Sequence, residues 1–137
     1  MRILLVHRYF WPDTPPYASM LLAIARKLVN DGHQVEVISS QPSYKSVDLL
    51  SKESSEEIID GVKIKRISLF QERRRNIIFR LINFFYFPLR VFFYICFNKK
   101  IDVVMSSTST PVVIGFSCAI AAKIINSKFE VNYYVFD

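Results

Sequence analysis

The chain has 137 residues, of which 51% are hydrophobic and 15% aromatic, and its 18 basic and 12 acidic side chains give a formal net charge of +6. Such a chain is one ordinary domain with ample apolar material for a core, which excludes disorder. The positive balance admits an anionic partner (nucleotide, phosphate, acidic lipid or nucleic acid) without choosing among them.

The chain opens on a strand pattern, with no charged region, apolar block and cleavage site as in a secretory signal, so a cytoplasmic protein is expected. Ile3 to Val6 is a short apolar run of the kind expected from a parallel strand covered on both faces. A loop rich in aromatics and prolines follows, from Arg8 to Pro16. The spacing of Ala18, Leu21, Leu22, Ala25, Leu28 and Val29 predicts a helix over 17–30, closed by Gly32. Gln34 to Ser39 reads as a second strand, completing a βαβ unit. The polar stretch 41–55 reads as a long loop with one helical turn near 47–50. Asp60-Gly61 between β-branched residues signals a tight hairpin, and Val62 to Ile67 alternates as a strand with one wet face.

Nine of the twenty aromatic residues fall between Ile77 and Phe97. Within 72–99 the polar residues Arg73, Asn76, Arg80, Asn83, Arg90, Tyr94 and Asn98 recur along one stripe of a helix, which Pro88 is expected to kink or restart. Core packing is the expectation for most of its phenylalanines. Its longest uncharged run, Leu81 to Leu89, is far shorter than a membrane span needs, so no span is expected. Asp102 to Met105 reads as a buried strand. A helix follows over 111–126, capped by Thr110 and started by Pro111, with small residues Gly115, Ala119 and Ala122 on its buried side. A last strand covers 129–136, and the domain is expected to be incomplete at its C-terminus, because a doubly wound unit follows such a strand with a covering helix. Cys96 and Cys118 sit in apolar segments without metal-ligand spacing and are expected to be reduced core residues.

These elements predict an α/β fold, a Rossmann-like three-layer parallel sheet whose ligands bind outside the strand carboxyl ends. A dinucleotide cradle needs glycines at the first loop, and there are none; a phosphoacceptor receiver needs strand-end carboxylates, and the first strand ends in His7. His33 follows a helix-terminal glycine and is expected to be structural; His7, at a strand end, is a weaker candidate for substrate contact.

Ile3-Leu-Leu-Val6, then Tyr9-Phe-Trp-Pro-Asp13, then Asp31-Gly-His-Gln-Val-Glu-Val37, resembles the amino-terminal domain of family-four retaining glycosyltransferases of the two-domain GT-B fold. Ser40-Gln-Pro-Ser-Tyr44, Asp60-Gly-Val62, the Arg- and Asn-bearing aromatic helix, Ile101-Asp-Val-Val104 and the helix after Ser-Thr-Pro111 continue the match. A bacterial subgroup carries the loop found here from Tyr9 to Met20, with Thr14-Pro-Pro16 in place of the common Gly-Gly. The resemblance implies the acceptor half of a sugar-nucleotide-dependent enzyme of bacterial polysaccharide or glycolipid biosynthesis, inactive alone because the donor domain is missing. It implies a nucleotide sugar donor for the complete enzyme and no cofactor in this chain. The implied partners are a sugar or lipid-linked sugar acceptor and an anionic membrane surface at the inner face of the plasma membrane, not nucleic acid.

By the same resemblance Arg8, Tyr9, Trp11, Asp13 and Thr14 line the acceptor side of the cleft, with Gln41, Tyr44, Ser106, Ser107, Thr108 and Asp137; no residue is assigned a catalytic role. The competing expectation is that Phe10 and Trp11 plug the core. Arg73, Arg74, Arg75, Lys99 and Lys100 are the expected membrane contacts at the ends of the aromatic helix. The rival reading is a non-catalytic basic module that docks on membrane or protein through that helix.

Overall fold

The computed structural model describes residues 1–11, 16–41, 56–69, 77–98, 100–107 and 112–132. A six-stranded sheet has the order β3-β4-β2-β1-β5-β6, built from β1 (Arg2–Val6), β2 (Gln34–Ser40), β3 (Glu56–Ile59), β4 (Val62–Ile67), β5 (Val103–Ser107) and β6 (Lys128–Asn132). All pairings are parallel except the β3–β4 hairpin. The helices are α1 (Pro16–Asn30), α2 (Ile77–Phe97) and α3 (Val112–Ile124).

Central β1 alternates its side chains between two cores, as a strand buried on both faces must. Ile3 and Leu5 join Leu21, Leu22 and Ala25 of α1, whereas Leu4 and Val6 join Phe87, Val91 and Ile95 of α2 and Ile114 and Cys118 of α3. The result is a Rossmann-like three-layer arrangement, α1 on one side and α2 with α3 on the other. Each crossover leaves a strand at its carboxyl end and returns at the next amino end, so α1, α2 and α3 run against the parallel strands.

The punctuation follows local chemistry. Gly32 (φ 86°) closes α1 with the His33 N–H donating to the Leu28 carbonyl, and Asn126 (φ 59°) closes α3 the same way through Ser127 and Ala122. Asp60 (φ 50°) and Gly61 (φ 80°) form the two-residue turn between β3 and β4, both left-handed as a type I′ hairpin requires. Gly115 differs from expectation: a Cβ there would meet nothing within 4 Å, so close helix packing does not explain it. Ala122, as expected, and Ala121 carry the small-residue contact, both fully buried, whereas Ala119 is only partly buried.

α2 departs most from the sequence expectation. It is one continuous helix of 21 residues with Pro88 inside it, and of its polar stripe Asn83 and Tyr94 turn towards the sheet while Arg80 and Arg90 stay exposed. Asn83 is buried and the Tyr94 hydroxyl donates to the Glu36 carboxylate on β2, with the Lys65 ammonium 4.8 Å from the Tyr94 ring centroid. The sheet thus supplies the partners of Tyr94, while Tyr86 and Phe92 pack partly buried against the core and Phe85, Phe93 and Phe97 stay outside. Of seven phenylalanines in α2 only Phe87 is buried, which corrects the expectation of core packing for most of them. The helix is also long and apolar enough to cross a membrane, with a mean hydropathy of 1.4, because only Arg80 and Arg90 interrupt it. Uncharged run length is therefore no argument against a span. Phe87, Val91 and Ile95, packed to zero or near-zero exposure against the sheet, show instead what one side of the helix does in this fold.

A Cβ at position 61 would approach Val29 Cγ1 to 3.1 Å while the backbone holds φ at 80°. Gly61→Ala is therefore expected to cost about 1–2 kcal/mol of stability, read from the midpoint of urea unfolding, with the fold retained.

Candidate functional site

The carboxyl ends of β1, β2, β4 and β5 lie along one edge of the sheet, since these strands are parallel. From β1 the chain passes through α1 to β2 on one side, and from β5 through α3 to β6 on the other. Strand order therefore reverses between β1 and β5, the position where open α/β sheets place ligands.

The loop after β1 is anchored there residue by residue. Phe10 is fully buried in the α1-side core, so it is a plug, while Trp11 beside it stays 43% exposed. The expectation of a core plug thus holds for Phe10 and not for Trp11. The Arg8 carbonyl accepts the Ser40 N–H at 3.0 Å and the Ser40 hydroxyl at 2.7 Å, which fastens the loop to the end of β2. The Arg8 guanidinium lies 5.6 Å from the Tyr9 ring centroid, and both side chains are half-buried. The Gln41 N–H donates to the Ile67 carbonyl, tying the β2 exit to the end of β4.

Arg66 was not among the expected site residues, and it holds this edge together. Its side chain is fully buried; Nη2 donates to the Trp11 carbonyl at 2.8 Å, and Nε and Nη2 donate to Glu57 Oε1 at 3.0 and 2.5 Å. The signal was available: Val62, Ile64 and Arg66 share one face of β4, so the basic alternation breaks where a cation falls on the apolar side. A guanidinium placed there must be paired.

His7 is buried at the end of β1, with Nδ1 3.0 Å from the Tyr9 nitrogen and 2.6 Å from its carbonyl oxygen. Burial pushes its pKa below 6.5, opposed in part by the backbone contact to Tyr9. Ser106 is buried on the α3 side of β5, where its hydroxyl neighbours the Cys118 thiol, so it forms the wall under the rim rather than the rim itself. Burial raises that thiol to about 12, leaving it unreactive. Ser107 ends β5. Arg8, Tyr9, Trp11 and Gln41 are thus brought to one edge. Asp13, Thr14, Tyr44, Thr108 and Asp137 lie outside the described residues, as do Arg73, Arg74, Arg75, Lys99, Thr110, Pro111 and the helical turn expected near 47–50. Lys100 is exposed after α2.

A cavity of about 230 Å³ opens at the opposite, amino ends of the strands, lined among others by Arg2, His33, Glu36, Gly61 and Lys63. It shares no residue with the rim. Among the described residues no group of three or more His, Cys, Asp or Glu could hold a metal ion.

No protein-family model matches the chain, and no curated protein matches it. Among solved structures it is similar to the C-terminal domain of PF1911 hydrogenase from Pyrococcus furiosus, with a TM-score of 0.61 and 12% identity over 96% of this chain and 89% of that one. At that identity the likeness concerns the α/β fold alone.

Two measurements test the anchoring. Removing one partner of a fully buried ion pair costs on the order of 3–5 kcal/mol, and Glu57 is 24% exposed, so Arg66→Met should lower stability by about 2–4 kcal/mol and lower the anisotropy of Trp11, the sole tryptophan. For His7 the folded pKa lies below the unfolded value, so the unfolded chain binds more protons in that window. Stability should fall as pH drops from about 6.5, and His7→Gln should flatten this part of the pH profile of urea unfolding.

Proposed function

We propose that the chain is the acceptor-side domain of a sugar-nucleotide-dependent glycosyltransferase of bacterial polysaccharide or glycolipid biosynthesis, and that it does not transfer sugar alone. The observation supporting this most is the rim of Arg8, Tyr9 and Trp11 at the reversal of strand order. An exposed indole and a half-exposed phenol offer faces on which sugar rings stack, and the cation and amides beside them meet hydroxyl groups. Gln41 lies on the same edge, its backbone bonded to the end of β4.

The glycines support the acceptor assignment over a donor one. A pyrophosphate cradle requires glycines where a strand runs into a helix. Here Gly32 and Gly61 serve turns at the amino ends of strands, and Gly115 lies within α3. The donor's phosphates would therefore be held by a second domain facing this edge.

Mono- and disaccharides of glucose, galactose, mannose and N-acetylglucosamine are the probes. At least one should shift Trp11 emission saturably, and Tyr9→Ala should weaken that binding about tenfold, equivalent to about 1.4 kcal/mol. Turnover of any sugar nucleotide by the purified 137-residue chain would overturn the proposal, as would silence towards every saccharide. The rival reading, a docking module without a sugar site, requires that silence.

A further inference from the structure

The outward side of α2 carries Phe85, Leu89, Phe93 and Phe97 four residues apart, with exposures from 48 to 83%. α3 carries Val112, Phe116, Ile120 and Ile124 at the same spacing, from 52 to 73% exposed. The two helices pack against each other on one face of the sheet and run in the same direction. Each row spans about 18 Å of helix, since each residue rises 1.5 Å. Two such rows side by side form an apolar surface wider than scattered exposed leucines and phenylalanines produce, and surfaces of this kind mark interaction sites.

The charges beside it select the occupant. α2 and α3 contain Arg80, Arg90 and Lys123 and not one acidic residue, although the chain has 12. A second copy meeting this face through a two-fold axis would set these cations against themselves. An anionic lipid surface complements them while taking the apolar rows into its acyl boundary.

We infer that the outer face of α2 and α3 lies in the plane of an anionic bilayer, with the rim of Arg8, Tyr9 and Trp11 opening along the lipid surface. Tyr94 bound to Glu36, and Phe87, Val91 and Ile95 bound into the sheet, keep α2 part of the domain rather than letting it cross the membrane. With the helices in the plane, the sheet edge stands about 10 Å above the lipid, one helix diameter. Ile77, Ile78, Leu81 and Ile82, all exposed at the beginning of α2, occupy the same end as the rim. An acceptor carried on a lipid phosphate reaches the rim by that route. The surface stands without the transferase reading; only the lipid-linked acceptor rests on it.

The test is co-sedimentation of the 137-residue chain with phosphatidylcholine vesicles, with and without phosphatidylglycerol. Binding should require the acidic lipid and be released by high salt. Arg90→Gln should weaken it about fivefold. Phe93→Ser combined with Phe116→Ser should weaken it at least tenfold, with circular dichroism and Trp11 emission unchanged. If that pair unfolds, Leu89→Ser serves for the same comparison. Equal binding to both vesicles, none to either with the fold intact, or retention through high salt and alkaline carbonate, as for a spanning helix, would each overturn the inference. So would concentration-dependent dimers abolished by Phe93→Ser without vesicle binding. Loss of vesicle binding with saccharide binding intact would leave the proposed function standing; saccharide silence with vesicle binding would do the reverse.

Discussion

Burial of β1 on both faces is the constraint from which the remaining architecture follows. Four consecutive apolar side chains, Ile3 to Val6, are each at most 5% exposed, and they alternate between the α1 core and the α2–α3 core. A strand in that position needs helices above and below it, so the chain must wind outward from β1 in two directions. The winding makes the reversal between β1 and β5, and the reversal leaves the ends of those strands uncovered by a crossover. The first loop then has nowhere to be except at that opening. Phe10 and Arg66 fix it there from the same face of the sheet, one by filling the core and the other by a charge-assisted hydrogen bond to the Trp11 carbonyl.

The same constraint explains the asymmetry of α2. Crossing from β4 past β2 and β1 to β5, the helix lies over the middle of the sheet, and one side of it meets Leu4, Val6 and Val104. Its flank meets β2 and β4 where Glu36, Lys63 and Lys65 point the same way, in register across the sheet with Leu4 and Ile38. Burial of Glu36 without a partner would cost several kcal/mol. Tyr94 and Lys63 provide the compensation, and the interaction with the carboxylate joins burial in raising the phenol's pKa. Tyr94 is thus drawn inward because the sheet beneath is itself polar at that flank.

This is also why part of the fold was legible in the sequence and part was not. Local codes read directly: the Asp60-Gly61 turn, the Gly32 terminus and the β1–α1–β2 unit depend on residues near one another in the chain. β1, β2 and β4 therefore fall within a residue or so of their expected bounds. The orientation of α2 depends on Glu36 and Lys65, residues 58 and 29 positions away from Tyr94, so periodicity alone gave the stripe but not the direction it faces. At the candidate site the aromatic loop was visible as composition, whereas its fastening through Arg66 and Ser40 was not. Both residues look ordinary until β4 and β2 are placed beside the loop. Arg66 alone left a trace, a cation on the apolar parity of an otherwise alternating strand.

The shape of the rim bears on what it can do. The cavity at the amino ends, between β1, β2 and the Gly61 turn, shares no residue with the rim. The edge bearing Arg8, Tyr9 and Trp11 is a rim with a tethered floor of Ser40, Gln41 and buried Ser106. Among the described residues Trp11 on this edge stays 43% exposed to water, and group transfer from a sugar nucleotide requires that water be excluded. On the proposed reading the two needs are met by different surfaces, recognition by this edge and dehydration by a second domain closing over it. On that reading, binding without turnover follows from the division between the two surfaces, and the exposed indole of Trp11 is a group that closure would cover.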